Sequence, residues 1–329
     1  MAHGSAGPGI IDICAVHGDR DVWEAYLTGF AIAAPDYLEK FAEPLTRRAG
    51  VDLEAYRRRL AADPHSAVHY LIDAGSGFDV ADHDYIAGLR ADGITHQVLH
   101  GFPWRGRSGA DANRSIARLA AMAPDLLTCW LGVSLRAPDE AASQIEYALR
   151  DWNIGGVSVS PFWEAVPASD PALAPIFETA QRLNLPIWIH AGQNFNRSIS
   201  LDISDVRNID RVATAFPDLT ILIGHGGWPW ISDAIAIVQR HPNVHLELSS
   251  HSPRFMGRAG SGWEPLLAQA RGALRGRVLF GASAWVSRLG PADLAAQIDE
   301  LGLPADIAAE WRHDNAAWLL AGAGRKAID

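Results

Sequence analysis

The stretch LTILIGHGGWPWISDAIAIVQRH, residues 219–241, decides the fold class. It opens with a short apolar run, ends that run at His225 and a pair of glycines, and continues as an amphipathic pattern of helical period. A nearly continuous apolar strand followed by a turn and a helix is typical of a parallel sheet that is covered by helices on its faces. The rest of the chain should therefore repeat this unit.

Seven further apolar runs lie along the chain, and helical patterns such as residues 139–152 and 173–184 separate them. These runs span residues 9–14, 94–100, 126–135, 154–160, 185–191, 243–249 and 277–283. Eight strand–helix units in 329 residues predict a (β/α)8 TIM barrel that occupies residues 1–329 as a single domain. A doubly wound open sheet is the alternative, but no G-x-G-x-x-G motif follows an early strand.

The connection between the first and second predicted strands is unusually long. Residues 20–90 contain helical patterns, among them EAYLTGFAIAAPDYLEKFAEPL and LEAYRRRLAA. Long connections in compact domains usually serve a function. We expect a helical insertion that forms a lid or side cap over the mouth of the barrel.

Composition limits which kinds of partner the protein can bind and in which cellular compartment it is expected. The formal net charge of −10 argues against nucleic acid or an anionic membrane surface as a partner. Two cysteines, Cys14 and Cys129, provide no disulfide framework and favour a reducing compartment. The opening MAHGSAGPG lacks the features of a signal peptide, and no apolar run approaches the roughly 20 residues of a membrane span. We expect a cytoplasmic protein, and a homodimer is compatible with these features.

Polar and aromatic residues collect at the ends of the predicted strands, where active sites of such barrels lie. Histidines follow five of the eight runs, which is more than core packing usually demands. The residues that we expect to bind substrate are His17, His100, Trp104, Arg136, Trp163, Arg197, Trp228, Ser249, Arg254 and Trp285. Arginine suits anions and tryptophan can wall a pocket for a flat ring, so a small anionic cyclic or aromatic substrate is predicted. The alternative is that the arginines are ordinary surface residues and the tryptophans anchor loops.

Five segments carry a resemblance to a known family: LPIWIHAGQN, FPDLTILIGHGGWPWISDAI, HPNVHLELSS, RVLFGAS and HDNAAWLL. Together they resemble the amidohydrolase-related family, which includes aminocarboxymuconate semialdehyde decarboxylase, resorcylate-type decarboxylases and assorted hydrolases. The resemblance covers about residues 94–320. It implies a barrel whose first strand ends in Asp-x-His-x-His, with both histidines on a divalent metal. It further implies a metal-binding His on strand 5, an acid/base His on strand 6 and a metal-binding Asp on strand 8.

This chain departs from that pattern at most of the metal positions. Asp12 matches the first Asp, but Cys14 and Val16 occupy the two histidine positions, and Ser283 replaces the Asp of strand 8. His190 and His225 match the histidines of strands 5 and 6. The resemblance therefore predicts a barrel without the catalytic metal. The alternative is a rebuilt zinc site through Cys14, His190 and His225; alternation along the strand opposes the recruitment of His17.

Three classes of function stay open. The first, which we favour here, is metal-independent hydrolysis of an amide, ester or lactone, with His225 as acid/base, His190 as its partner and Cys14 or Ser283 as nucleophile. Cys14 could instead be a small buried hydrophobe. The second is decarboxylation of an aromatic or cyclic carboxylic acid through proton transfer by His225. The third is a binding protein that kept the barrel and lost its chemistry.

Overall fold

The computed structural model describes residues 9–322, and within them eight parallel strands form one sheet in the order β1 to β8. The strands are β1 Ile10–Ala15, β2 Ile94–His100, β3 Leu127–Gly132, β4 Gly156–Val159, β5 Ile187–Ile189, β6 Ile221–Ile223, β7 Val244–Glu247 and β8 Val278–Leu279. The predicted TIM barrel is confirmed. The prediction about a signal peptide falls on residues that, apart from Gly9, lie outside the described range.

Backbone hydrogen bonds bring the last strand back to the first. The N–H of Ile13 donates to the carbonyl of Phe280 at 3.0 Å, and the N–H of Ser283 donates to the carbonyl of Cys14 at 2.8 Å. Several strands are shorter than the apolar runs that predicted them. At the eighth, Ser283 has a φ of 46°, in the left-handed region, which is incompatible with an extended strand. The last part of that run is therefore a loop.

Alternating side chains fill the interior of the barrel. They come from six of the eight strands and form a separate apolar cluster: Ile11, Ile13, Val98, Trp130, Trp188, Leu222 and Leu279. Two residues of the C-terminal helix, Ala316 and Leu319, belong to the same cluster. The interior is therefore a packed core, and the open space lies at one end of it.

Helices surround the barrel and fill the long first connection. They are α1 Arg20–Ala33, α2 Asp36–Lys40, α3 Ala42–Ala49, α4 Leu53–Ala62, α5 Pro64–Ala74, α6 Asp82–Ala91, α7 Ala112–Met122, α8 Pro138–Trp152, α9 Pro161–Glu164, α10 Ala174–Arg182, α11 Arg207–Ala215, α12 Ile231–Arg240, α13 Pro253–Met256, α14 Glu264–Gln269, α15 Pro291–Ala296, α16 Ala305–Ala309 and α17 Asn315–Gly322. The predicted insertion is helical, from α1 to α6. Across residues 9–322, no helix has the length and hydropathy needed to cross a membrane.

One buried carboxyl group ties the first strand to both of its neighbours. Asp12 accepts hydrogen bonds from the backbone N–H of Cys14 at 3.1 Å and of Ala282 at 2.8 Å, and from the side-chain amide of Gln97 at 2.8 Å. Burial raises the pKa of Asp12 to about 6, although all three hydrogen bonds oppose this shift. Asp12 therefore holds the end of β1 in place.

Candidate active site

A cavity of about 290 Å³ lies at the carboxyl ends of the strands. The strands and the loops that follow them contribute Cys14, Val16, His100, Ser158, His190, His225, His251 and Ser283. The first two insertion helices, α1 and α2, and the residue after α2 contribute Tyr26, Phe30, Tyr37, Lys40 and Phe41. Aromatic rings from α9, β5 and further loops also line the cavity: Phe102, Phe162, Trp163, Trp188, Phe195, Trp228 and Trp285. The cavity is small, largely apolar and lined by imidazoles at its inner end.

His225 stands at the sharp turn between β6 and α12. Its backbone has a φ of 56°, and the two glycines that follow also have positive φ values of 61° and 68°. The turn aims the ring into the cavity, 4.9 Å from the ring of His190 between centroids. Nδ1 of His225 lies 2.8 Å from Oγ of Ser249. With Nδ1 occupied, Nε2 is the nitrogen that remains for a ligand.

A buried carboxyl group lies behind this pair. Oγ of Ser249 lies 2.8 Å from Oε2 of Glu247, the last residue of β7. Glu247 is 0% exposed and also accepts from Nε1 of Trp188 at 3.0 Å and from the backbone N–H of His225 at 3.2 Å. Burial raises the pKa of Glu247 to about 7, against these hydrogen bonds. A Cβ at Gly281 would lie 2.1 Å from Oε1 of Glu247, so only glycine leaves room for it.

The imidazoles of the cavity are held in their neutral form. Burial lowers the pKa of His190 to about 3 and those of His100 and His251 to about 4. Burial, followed by the proximity of the other three imidazoles, lowers the pKa of His225 well below 6.5. Among the described residues, the cavity lining includes no Asp or Glu side chain that would stabilise an imidazolium.

Cys14 lines the cavity as a neutral thiol. Burial raises its pKa well above the usual 9, and the nearby Glu247 carboxyl raises it further. A thiolate is the nucleophilic form of cysteine, and it forms in electropositive surroundings. The environment of Cys14 is the opposite, so covalent attack by this thiol finds no support in the geometry.

Several polar atoms around the cavity make no hydrogen bond within the described part of the chain. They are Oη of Tyr37, Nδ1 of His100, Oγ of Ser158, Nε1 of Trp163 and Nδ1 of His190. Buried polar groups are nearly always hydrogen-bonded in folded proteins. This set of donors and acceptors therefore suits a small ligand that carries polar substituents.

Lys40 is the one cationic side chain in the cavity lining, as far as the described residues go. It is exposed, and its ammonium group lies 4.8 Å from the ring centroid of Phe195. His225, by contrast, lies at the inner end of the cavity, among the aromatic rings. The cavity thus has a cationic mouth and a neutral inner end.

The structure brings together all four predicted catalytic side chains and part of the predicted substrate-binding set. The predicted residues that line the cavity are Cys14, His190, His225, Ser283, His100, Trp163, Trp228 and Trp285. Three others lie behind the lining. His17 stacks on Tyr85 with centroids 3.4 Å apart, Trp104 packs on the far side of Trp163, and Ser249 contacts His225 from behind.

The predicted arginines do not line the cavity, which corrects the expectation that they surround an anion. Acidic or carbonyl groups hold them elsewhere: Arg136 donates to the carbonyl of Glu164 at 3.3 Å, Arg197 pairs with Asp36, and Arg254 pairs with Glu300 at 2.7 Å. Three more rim arginines are paired in the same way, Arg105 with Asp111, Arg107 with Asp73 and Glu24, and Arg288 with Glu43.

Sequence reasoning missed Glu247, Tyr37 and Lys40. A signal existed for Glu247, because a charged residue inside the apolar run NVHLELS must be paired or neutral when it is buried. The insertion offered a weaker signal, namely the aromatic residues in its first half. Nothing in the sequence indicates which of them face the barrel.

The donor set does not fit the metal that the family resemblance implies. Val16 has no lone pair to offer and Ser283 offers a neutral hydroxyl in place of a carboxylate, so Cys14 is the one position of the three that carries a usual zinc donor. Over residues 9–322, no group of three or more His, Cys, Asp or Glu side chains is arranged to hold an ion. This includes the set of Cys14, His190 and His225 that we considered for zinc.

Comparisons with known proteins agree with this fold. The sequence profile of the amidohydrolase family matches residues 81–321. No protein of curated function matches the chain significantly.

Similar solved structures cover nearly the whole chain. An uncharacterised TIM-barrel protein from Bordetella bronchiseptica has a TM-score of 0.68 and 23% identity, over 96% of this chain and 99% of that one. A 5-carboxyvanillate decarboxylase from Novosphingobium aromaticivorans, complexed with manganese and 4-hydroxy-3-methoxy-5-nitrobenzoic acid, has a TM-score of 0.65 and 16% identity, over 97% and 98%. A 2,6-dihydroxybenzoate decarboxylase from Rhizobium has a TM-score of 0.59 and 14% identity, over 95% and 99%.

Proposed function

The chain belongs to the amidohydrolase family, and from this premise we propose that it is a carboxy-lyase, which releases CO2 from a small aromatic or cyclic carboxylic acid. The observation that carries the proposal is His225, whose Nδ1 is bound to Ser249 while Nε2 is left for a cavity walled by aromatic rings. Similar folds named as 5-carboxyvanillate and 2,6-dihydroxybenzoate decarboxylases support the reaction class.

The size and walls of the cavity suit such a substrate. A volume of about 290 Å³ is at the small end for ligand sites. Phe162 lies against His190 with ring centroids 4.4 Å apart, and Tyr37 stacks on Phe162 at 4.9 Å. A flat ring can extend along these rings from the imidazoles toward the mouth. Lys40 would there bind a second anionic or polar substituent.

The neutral inner end favours loss of CO2. A carboxylate placed among neutral imidazoles and aromatic rings loses its hydration, and none of the arginines within residues 9–322 lines the cavity to compensate for this. CO2 is uncharged, so its departure removes that penalty. His225 delivers a proton to the ring carbon that bears the carboxyl group, a C–H bond forms, and the electron pair of the broken C–C bond returns to the ring.

The proposed reaction uses no metal. The decarboxylase from Novosphingobium aromaticivorans is described with manganese, but the donors at the matching positions here do not fit an ion. Proton transfer by His225 and desolvation of the carboxylate therefore carry the proposed chemistry.

Hydrolysis of an ester, amide or lactone is a second candidate. One observation favours it: an imidazole that is connected to a buried carboxyl group suits a general base acting on water. The hydroxyl of Ser283, which lines the cavity, is then the available nucleophile.

A substrate panel separates these candidates. Hydroxybenzoic acids and benzene dicarboxylic acids labelled with 13C in the carboxyl group are incubated with the protein, beside matched esters, amides and lactones. We expect labelled CO2 from at least one acid, and none of it with the His225→Asn variant. Hydrolysis without CO2 release would establish the second candidate. Tight binding of an acid with no turnover would indicate a binding protein.

A further inference from the structure

The inner end of the cavity holds three imidazoles in contact with the barrel core, and only one of them is connected to an ionisable group. Nε2 of His100 lies 2.9 Å from the carbonyl of Ile13, which can accept a hydrogen bond but cannot take up a proton. Nδ1 of His190 has no partner in the described part of the chain. His225 alone leads on, through Ser249, to Glu247.

We propose that Ser249 and Glu247 form a proton relay behind His225, which lets Nε2 gain or lose a proton while the imidazole remains neutral. This inference deepens the proposed function and depends on it only for the identity of the group that receives the proton. Ser249 and Glu247 touch neither substrate nor reacting atoms, so they are positioning residues.

The need for a relay follows from the surroundings of the ring. An imidazolium at His225 would be buried beside three other imidazoles, without a carboxylate in the cavity lining of the described residues. A proton that arrives at Nε2 must therefore be matched by one that leaves Nδ1. The Ser249 hydroxyl can do this, because it is both a donor and an acceptor.

The protons balance along the chain. When Nε2–H passes to the substrate carbon, the Ser249 hydroxyl proton moves to Nδ1 and the Glu247 carboxylic proton moves to Ser249. The imidazole has exchanged tautomers, Ser249 is unchanged, and Glu247 has become a carboxylate. After the product leaves, a proton from water reaches Nε2 and the same chain runs in reverse, so one solvent proton is consumed for each CO2 released.

The position of Glu247 suits the end of such a chain. Three donor-only groups stabilise its carboxylate, namely Nε1 of Trp188 and the backbone N–H groups of His225 and Ser249. Burial opposes them and brings the pKa of Glu247 to about 7. The hydrogen bonds thus favour the carboxylate form of Glu247 and burial favours its carboxylic acid form. The other ionisable group beside Glu247 is the Cys14 thiol, which stays protonated, and Asp12 faces Cys14 as well.

The relay can be tested without a substrate by 15N NMR on protein with labelled histidine. His225→Asn identifies the His225 signals, and 15N shifts distinguish the two neutral tautomers from imidazolium. Between pH 8.5 and 5.5 we expect the wild-type signals to move from the Nδ1–H tautomer to the Nε2–H tautomer, with no imidazolium. Ser249→Ala should abolish this movement, Ser249→Thr should retain it, and Ser204→Ala is the matched control, because Ser204 is a buried serine outside the cavity lining.

Two results would overturn the relay: imidazolium at His225 in the wild type, or the same tautomer exchange in Ser249→Ala. Glu247→Gln, checked for folding by circular dichroism, should show one tautomer at every pH, and an exchange like that of the wild type would also contradict the proposal. Once an acid that releases CO2 is known, Ser249→Ala should lower kcat about 100-fold with little change in KM, and Ser249→Thr should restore it. A protein that releases no CO2 can still pass the NMR test, so the two proposals fail separately.

Discussion

The two sides of the barrel mouth have diverged. On the side of β5, β6 and β7, His190 and His225 face the cavity and Glu247 is connected to one of them. On the side of β1 and β8, Cys14, Val16 and Ser283 present a neutral thiol, an apolar side chain and a hydroxyl. The carboxyl group that remains there, Asp12, holds backbone together. In the proposed function the first side moves protons, whereas the second side has a structural role.

The largest effect is expected at the centre of the proton-moving side. His225→Asn should lower the rate of CO2 release by about 100-fold or more, because the variant has no ring nitrogen to carry a proton. Cys14→Ser, on the structural side, should stay within a few-fold of the wild type. The two sides would not differ as described if the rates of both variants fell equally in the 13C assay.

Acidification should destabilise the folded protein strongly. Burial depresses the pKa values of seven histidines of the described chain: His17, His96, His100, His190, His225, His245 and His251. Below pH 6.5 these histidines bind protons in the unfolded chain but stay neutral in the folded chain. The free energy of unfolding therefore falls as the pH falls from about 6.5 toward 4. Asp12 and Glu247, with pKa values of about 6 and 7, act in the opposite direction but are only two groups. Urea midpoints at pH 8, 7, 6 and 5 measure this; a midpoint that rises on acidification would contradict it.

Asp12→Ala should affect stability more than chemistry. It leaves three buried donors without an acceptor, the N–H groups of Cys14 and Ala282 and the amide of Gln97. A loss of about 3 kcal/mol in the free energy of unfolding is expected, since an unsatisfied buried group costs about 1–3 kcal/mol. Asp12→Asn, which keeps one acceptor oxygen, should lose less. Equal losses of unfolding free energy in urea titrations of the two variants would contradict the structural role of the Asp12 carboxyl group.

Lys40→Met tests the mouth, which belongs to neither side. If Lys40 binds a second anionic substituent, KM for a dicarboxylic acid should rise roughly 3-fold with kcat unchanged, the size expected from the loss of one exposed ion pair. KM for the matched monocarboxylic acid should not change, and Lys40→Arg should resemble the wild type. An equal rise for both acids would show that the lysine does not select the substituent.

The smallest expected effect is that of a chelator. Three of the four positions that bind metal in the family are occupied here by Cys14, Val16 and Ser283, which do not fit an ion. Activity should therefore survive dialysis against chelator, and elemental assay should find no stoichiometric metal. One equivalent of zinc or manganese that is lost together with activity would mean that the structural side still binds a catalytic ion.

Much of the fold could be predicted from local sequence, whereas the site could be predicted only in part. The repeated strand–helix pattern is local, and so is the glycine pair that places His225 at a turn. The direction in which a long side chain points depends on residues that are distant in sequence. Arg197 and Arg254 point away from the cavity because they pair with Asp36 and Glu300. The same holds for Glu247, whose apolar strand does not reveal that Ser249 connects it to His225.

The paired arginines at the rim also bear on how fast an acid is captured. Arg105, Arg107, Arg197, Arg254 and Arg288 each share their charge with a neighbouring carboxylate. Their fields largely cancel beyond the Debye length of about 8 Å at physiological salt. Steering of an anion toward this entrance is therefore weak, and its association rate should depend little on ionic strength. Different acids should therefore differ mainly in the rate at which they dissociate from the cavity, and little in the rate at which they associate.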